Sequence, residues 1–541
     1  MRKTEAFLLP RKPIYDRAPL VRRTQLPLST GMLRAENPDA EALLKQLPKE
    51  LPWDALEGAI RLSACLGVEA EACPAAAAVR RQFRSQDKDG ALPCGTQESI
   101  ALCRAAWFLS GWTGDRALAE SVVRWLGWAA GSYETLIADQ ELRDRPADLT
   151  ELLVEIYRAT GLQGALRLLA RLRRDVTDWS MILNTFSLDH PYRESPVTGQ
   201  GAEEVRKHQR LLADPVALAD AMREVRCLAE YSGNGTEHEA GARGWERISR
   251  WHGQACGGTS ASPLLKGRSP LSDISPASVG AWAECLAGYL AAGERWAHLP
   301  LERIAVNALP VATAMKTFTV NRTNTKGRIE KSSLGRLLRG WAALLSTAAC
   351  LEPDGISLQH YDQIAFAWTD GVDQMTIRMF HVPGEVRVVF SGKKPVRLNL
   401  SLPIPPWVLD ATVTLCGEEQ ERLPHGEPYT VVREWHDGDE VRLTGRPCIT
   451  VEDGYHQSRT VYRGPNLMVW DGSGAEGYPA LIGTPEIRDG KVIAQLCACA
   501  PAASADVPVL PKPAGAPFEA ELKTFAQCAE GIAVFSGMQT P

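Results

Sequence analysis

Residues 251–310 hold the side chains with the most chemical capacity in this chain. Trp251 precedes His252, an aromatic ring beside a polar tip, a pairing that stacks on a sugar face or simply serves the fold. Gly253-Gln254 follows, then Gly267-Arg268-Ser269-Pro270, where Arg268 is suited to bind a hydroxyl or a carboxylate, or to hold its own loop. Metal chemistry is poorly provided for. His238 stands between Glu237 and Glu239 without ligand-type partners four residues away, as on a solvated helix face. Of 13 cysteines only Cys497 and Cys499 lie close together, and no pair has zinc-ribbon or zinc-finger spacing. They read as buried free thiols, and the residues predict no metal and no other cofactor.

Helices must position this loop. Ser275 is a good N-cap and Pro276 a good first residue for a helix over 275–291, whose Val279, Trp282, Leu286 and Leu290 share one face. A second helix near 300–309 places Leu301, Ile304, Ala308 and Leu309 on one side and stops at Pro310. Upstream, Asn37-Pro38-Asp39 opens the helical region, and helical patterns follow at 53–67, 72–86, 97–112, 115–131, 146–160 and 162–173. Others cover 202–213, 214–232, 236–252 and 334–349. About a dozen helices on short turns make helical hairpins packed in sequence. The pattern accommodates a closed ring of six hairpins or a superhelical stack.

Past Pro353-Asp354-Gly355 the hydrophobic period changes to two. Val396, Leu398, Leu400, Leu402 and Ile404 alternate with Arg397, Asn399, Ser401 and Pro403, as in a half-buried strand. Thr412–Leu415, Tyr429–Glu434 and Glu440–Leu443 continue the texture, with 436–439 as a turn. An antiparallel β-sandwich is therefore expected from about 356. The expected organisation is an extended, basic, proline-punctuated lead-in over 1–35, a helical domain over 36–352, and a β region over 353–541. That last region holds an Ala/Pro-rich linker near 501–517.

The order His-Gly-Gln, Gly-Arg-Ser-Pro, then Leu301-Glu302-Arg303-Ile304-Ala305-Val306-Asn307-Ala308-Leu309-Pro310 resembles glycoside hydrolase family 127, the β-L-arabinofuranosidase-like proteins. So do Leu402-Pro403-Ile404-Pro405-Pro406-Trp407, Arg433–Asp439 and Tyr462-Arg463-Gly464-Pro465, and the likeness spans about residues 200–470. A weaker likeness at Phe525-Ala526-Gln527-Cys528 suggests a returning strand. The resemblance implies an (α/α)6 toroid followed by an antiparallel β-sandwich. It also implies a cysteine thiolate held on zinc as nucleophile and a Glu as acid/base. Here the acid/base register gives Ser275, with Ala277 where a cysteine follows. Counting back from Gly340-Trp341 and Pro353-Asp354-Gly355 puts Ser332 and Ser333 where the family has paired cysteines. Serine is a poor zinc ligand, and without a base it is no nucleophile at neutral pH. The nearest carboxylates are Asp273 and Glu330, each two residues before a displaced position; they are either a substitute acid/base pair or acids favoured by helix N-termini. His208 falls near a substrate-contacting histidine of the family.

Composition narrows the function classes. Hydrophobic residues at 45% and charged residues at 23% fit a globular chain of several domains. Sixty basic against 65 acidic residues leave a net charge of −5, which argues against nucleic acid as a partner. No apolar run approaches a membrane span, and the first residues have charge but no signal-like apolar stretch, so a cytoplasmic protein is expected. The expected function is binding or processing of furanoside or plant-glycan oligosaccharides without the zinc-cysteine centre. The rival is a catalytically inactive scaffold or regulatory protein on the same fold. Nothing in the chain specifies an oligomeric state.

Overall fold

The computed structural model describes residues 26–27 and 33–537, apart from 195, 197, 200, 261–262, 322–323, 327–328, 353–354, 370–373, 383, 420–422, 424–425, 473–478, 500–512 and 529. Most of the 1–35 lead-in, Pro353-Asp354 and most of the Ala/Pro-rich stretch lie outside the described residues.

Helix ends follow local chemistry. Asn37 Oδ1 accepts from the Ala40 N–H at 3.1 Å ahead of a helix that begins at Pro38. Asp214 does the same for Val216 at 2.8 Å, ahead of Pro215. Six helices then face one another: α1 (Trp53–Cys65), α2 (Thr96–Thr113), α3 (Ala147–Thr160), α4 (Pro215–Ser232), α5 (Pro276–Ala291) and α6 (Lys331–Ser346). Each packs on the next, and α6 packs back on α1, which closes the ring. Pro38–Lys45, Pro74–Phe83, Arg116–Gly131, Gln163–Asp175, Gly235–His252 and the composite His298–Ala314 alternate with them along the chain as the outer layer. This is an (α/α)6 toroid. One detail differs from the expectation: Ala202–Ala213 is an accessory helix before α4, and Pro38–Lys45 takes the remaining outer place.

Packing is tightest between α5 and α6. A Cβ on Gly340 would stand 2.6 Å from the Gly280 carbonyl oxygen, and one on Gly280 would stand 2.3 Å from that of Arg336. Neither position tolerates a side chain. Adjacent Trp341 is buried and donates its indole N–H to Thr313 Oγ1 at 2.9 Å. The Gly-Trp landmark is a packing device.

Strands dominate from Ala349. The first two sheets form a sandwich, and Phe390 of one stacks on Trp435 of the other at 3.9 Å. Val396–Leu402 buries Val396, Leu398 and Leu400 as the alternation predicts, and it pairs antiparallel with Tyr429–Trp435. N-terminal residues take part: Leu33–Ala35 pairs with Ile364–Thr369, and Leu26–Pro27 with Ala349–Glu352. A third sheet runs from Ile449 to Gly537, and pairing of Arg459–Arg463 with Val534–Gly537 turns it back on itself. Three expectations need correction here. Two pairings are parallel, Val396–Leu402 with Gly355–Leu358 and Ala480–Arg488 with Val534–Gly537. Residues 513–517 belong to the strand Pro513–Thr524, because the alternation Phe518, Ala520, Leu522 extends it. Phe525–Gln527 is a single 3₁₀ turn whose Phe525 is buried near Phe318, not a strand.

Residues 301–310 join the two halves. Ile304–Ala308 is a π-helical turn inside the composite helix, a feature often found where a helix must redirect side chains. Glu302 Oε2 accepts the Trp407 indole N–H at 2.8 Å. Arg303 Nη1 donates to Glu452 at 3.1 Å, and its guanidinium lies 4.0 Å above the Tyr462 ring. Asn307 Nδ2 donates to the carbonyls of Arg303 (2.9 Å) and Pro465 (3.0 Å), and its Oδ1 accepts the Leu467 N–H at 2.9 Å. Burial pushes the Glu302 carboxyl up to about 7, against the lowering pull of Trp407 and Arg303. The Glu-Arg…Asn motif docks the strands on the toroid.

Candidate functional site

Ser275 caps α5, its Oγ accepting the Ser278 N–H at 3.2 Å. Just before it, Ile274 exchanges backbone hydrogen bonds at 2.7 and 3.2 Å with Phe318, the last residue of the first strand in the hairpin formed by Met315–Phe318 and Asn324–Lys326. Lys316 of that hairpin forms a 2.9 Å ion pair with Glu330, the residue before α6. One hairpin thus brings the starts of α5 and α6, with Asp273 and Glu330, to a common rim. Asp273 is exposed, and Glu330 is half-exposed and ion-paired. Ser332 is exposed, Ser333 is buried in the first turn of α6, and Ala277 is half-buried.

Hydroxyls and a methyl occupy this rim where the resemblance implies thiolates. The donor set does not fit a zinc centre. Cys256, the other thiol of the loop region, is fully buried, and burial pushes it up to about 12. Among the described residues, no three His, Cys, Asp or Glu side chains form a group able to hold a metal ion.

Below the rim, the axis of the toroid is filled by charge. Arg339 on α6 donates to Asp148 on α3, three places round the ring, from Nη1 at 2.9 Å and from Nη2 at 2.7 Å. Arg104 on α2 holds Glu57 of α1 at 2.7 and 2.9 Å and Glu151 of α3 at 2.9 Å. Arg336 on α6 clasps Asp220 of α4 through two bonds of 2.6 Å. Arg226 reaches Glu151 at 2.7 Å, and Glu284 of α5 accepts from Arg339 at 2.9 Å. Arg223 also bonds Asp148, Asp220 and Glu151. Arg104 and Arg223 are only 4% and 1% exposed, so these are interior pairs rather than surface ones. Burial alone would raise the carboxyl groups. The guanidinium groups overcome it, holding Glu57 at about 2 and Asp148 and Glu151 well below the usual carboxylate range. Carboxylates so firmly ionised cannot deliver a proton at neutral pH.

Comparison with known proteins agrees with this architecture. Residues 358–445 match the family model described as the middle domain of GH127 β-L-arabinofuranosidase. A solved structure titled as a glycoside hydrolase superposes with a TM-score of 0.75 at 14% identity, covering 98% of this chain and 100% of that one. This chain has a GH127-like fold. A GH127 β-arabinofuranosidase aligns with a TM-score of 0.66 at 12% identity, over 96% of this chain and 99% of that one. A GH127 β-L-arabinofuranosidase from Geobacillus stearothermophilus T6 gives 0.62 at 15% identity, over 92% and 93%. No curated protein sequence matches. At such identities the likeness establishes the fold.

The remaining predicted residues of the GH127-like chain lie apart from the axis. His208 is exposed on the accessory helix. Trp251 is 41% exposed, with Arg250 5.5 Å from its ring. His252 is fully buried: Nδ1 accepts the Gly267 N–H at 3.1 Å, so Nε2 carries the proton and donates to the Leu188 carbonyl at 2.8 Å. Burial lowers its pKa, which favours that neutral form. Neither ring nitrogen is left for a sugar, which corrects its assignment as a ligand-binding residue. Gln254 Nε2 donates to the carbonyls of Gly267 and Ser269 at 3.2 and 3.3 Å. His-Gly-Gln and Gly-Arg-Ser-Pro are therefore hydrogen-bond partners of each other. Together they turn Arg268 into a cavity beside the last sheet.

The axial ion pairs were missed in the sequence, although they left a signal. Arg104 interrupts the apolar run Ile100–Leu109, and Glu284 sits between Ala283 and Cys285 on a nearly all-buried helix. A charge on such a helix requires a buried partner. Which helix supplies that partner depends on ring closure, which no local pattern encodes.

Proposed function

We propose that this GH127-like chain binds carbohydrate without hydrolysing it at the position where family 127 carries out catalysis, and that its ligand is a furanoside-bearing oligosaccharide of the plant-glycan kind. The Arg339–Asp148 contact carries the reading, because it occupies the axis with paired side chains. The rim supports it too. A glycosidase acid is usually built by burial, whereas Asp273 is exposed and Glu330 is ion-paired. The sugar class comes from the fold relatives, two of which are titled β-arabinofuranosidases. We place the protein in the cytoplasm, because all its described cysteines are free thiols, as suits a reducing compartment. No described helix is long and apolar enough to cross a membrane. Calorimetric titration with arabinofuranosyl oligosaccharides, followed by chromatography of the recovered sugar, tests the reading. Saturable binding with the sugar recovered intact is expected; absence of binding, or recovery of shortened sugar, overturns it.

A further inference from the structure

We propose that the cavity lined by Arg268 is a binding site for a uronic acid, a sugar ring bearing a carboxylate; the proposal deepens the carbohydrate-binding reading and rests on it. The cavity has a volume of about 280 Å³ and lies between the loop 253–258 of the helical half and residues 452–462 of the last sheet. That is the small end of the range for small-molecule sites, and it suits one sugar ring. Trp245 and Tyr455 provide aromatic wall, and Thr460 adds a polar edge.

Two groups in the wall lack partners. Ser458 is fully buried, and its Oγ makes no hydrogen bond among the described residues. The Arg268 Nε is likewise unmatched, and no described carboxylate pairs with this guanidinium. Both groups converge on one point: a Cβ on Gly454 would stand 3.2 Å from Ser458 Oγ and 3.9 Å from Arg268 Nη2. Gly454 leaves open a cradle that a side chain would fill. The turn that carries Ser458 is also strained, because His456 and Gln457 adopt left-handed φ values of 52° and 58°. Strain of this kind in non-glycine residues concentrates at ligand clamps.

The other charges of the wall are already answered. Arg303 is neutralised by Glu452 and lies on Tyr462, and Asp453 pairs with Arg459 at 3.4 Å. Among the described residues, Arg268 is left as the cation of this wall without a counter-charge. A planar guanidinium matches a carboxylate through two parallel hydrogen bonds, a geometry that a neutral sugar's separate hydroxyls do not offer. The buried hydroxyl of Ser458 then has a sugar hydroxyl or the second carboxylate oxygen to meet.

The test titrates the full chain with D-galacturonate, D-glucuronate and neutral D-galactose, alongside a neutral arabinofuranosyl oligosaccharide, in the wild type and in Arg268→Met and Gly454→Ala. Circular dichroism of each variant checks that it is folded. At least one uronate should bind roughly tenfold or more tightly than galactose, and both substitutions should remove that preference. Equal binding of uronates and galactose, or a preference that survives both substitutions, overturns the site. Binding of the arabinofuranosyl oligosaccharide without uronate binding overturns the site alone and leaves the broader reading standing. Binding of neither overturns both.

Discussion

Arg339 and Asp148 meet from opposite walls of the toroid through hydrogen bonds of 2.9 and 2.7 Å. A ring of six helices can leave its axis open for a ligand; here the axis is crossed by paired charges drawn from all six inner helices. Buried pairs of this kind are costly to desolvate, and their worth shows when one partner is removed.

Arg339→Met should therefore be severe. It takes from Asp148 its two-bond partner and from Glu284 its 2.9 Å donor, leaving both carboxylates to Arg223 at 2.9 and 3.4 Å, and a loss of about 3 kcal/mol is expected, read as a shift of the urea midpoint. A loss below about 1 kcal/mol would place the pair in the class of surface ion pairs.

Ser275→Ala should cost about 1 kcal/mol, the usual worth of an N-cap, because its Oγ satisfies the Ser278 N–H. Asp273→Ala, at an exposed position, should change stability by no more than about 0.5 kcal/mol. Equal effects from the two would mean that the cap bond contributes nothing.

Much of this architecture was legible in the sequence. Asn37, Ser275 and Pro276 mark helix starts, and the alternation from Val396 to Leu402 marks a strand, because these signals act between near neighbours. The candidate site was legible only in part. Register alone places the displaced serines, but which of its two roles His252 takes depends on Leu188 and Gly267, which approach it from other loops. The partner of Arg104 is Glu57, 47 positions away, and no periodicity predicts that distance.

Glu302 should make stability depend on pH. Its folded carboxyl sits at about 7, above the ordinary 4.5, so the folded state favours the protonated form. Its contribution is full below about 4.5 and is lost as pH rises through about 7. Glu57, held at about 2, works the other way and is lost as pH falls from about 4.5 through 2. His298 and His360, held near 4 by burial, likewise lose their contribution as pH falls from 6.5 through 4. Glu302→Gln should flatten the decline in urea midpoint between about pH 5 and 8, by on the order of 1–3 kcal/mol. An unchanged decline would assign it to other groups.

Asn307→Ala removes a side-chain amide with three hydrogen bonds, one to Arg303 within the composite helix and two, to Pro465 and Leu467, that join that helix to the strand region. A loss of about 1–3 kcal/mol is expected, with faster hydrogen exchange at the Leu467 amide. Unchanged exchange there would show that docking does not depend on this residue.

Binding without hydrolysis is checked by assaying a panel of aryl furanosides and pyranosides with the purified wild type, Asp273→Asn and Glu330→Gln. We predict no release of the aryl group above buffer from any of the three proteins. Release by the wild type that is lost in either variant would instead make the protein a hydrolase and the rim carboxylates a working acid/base pair.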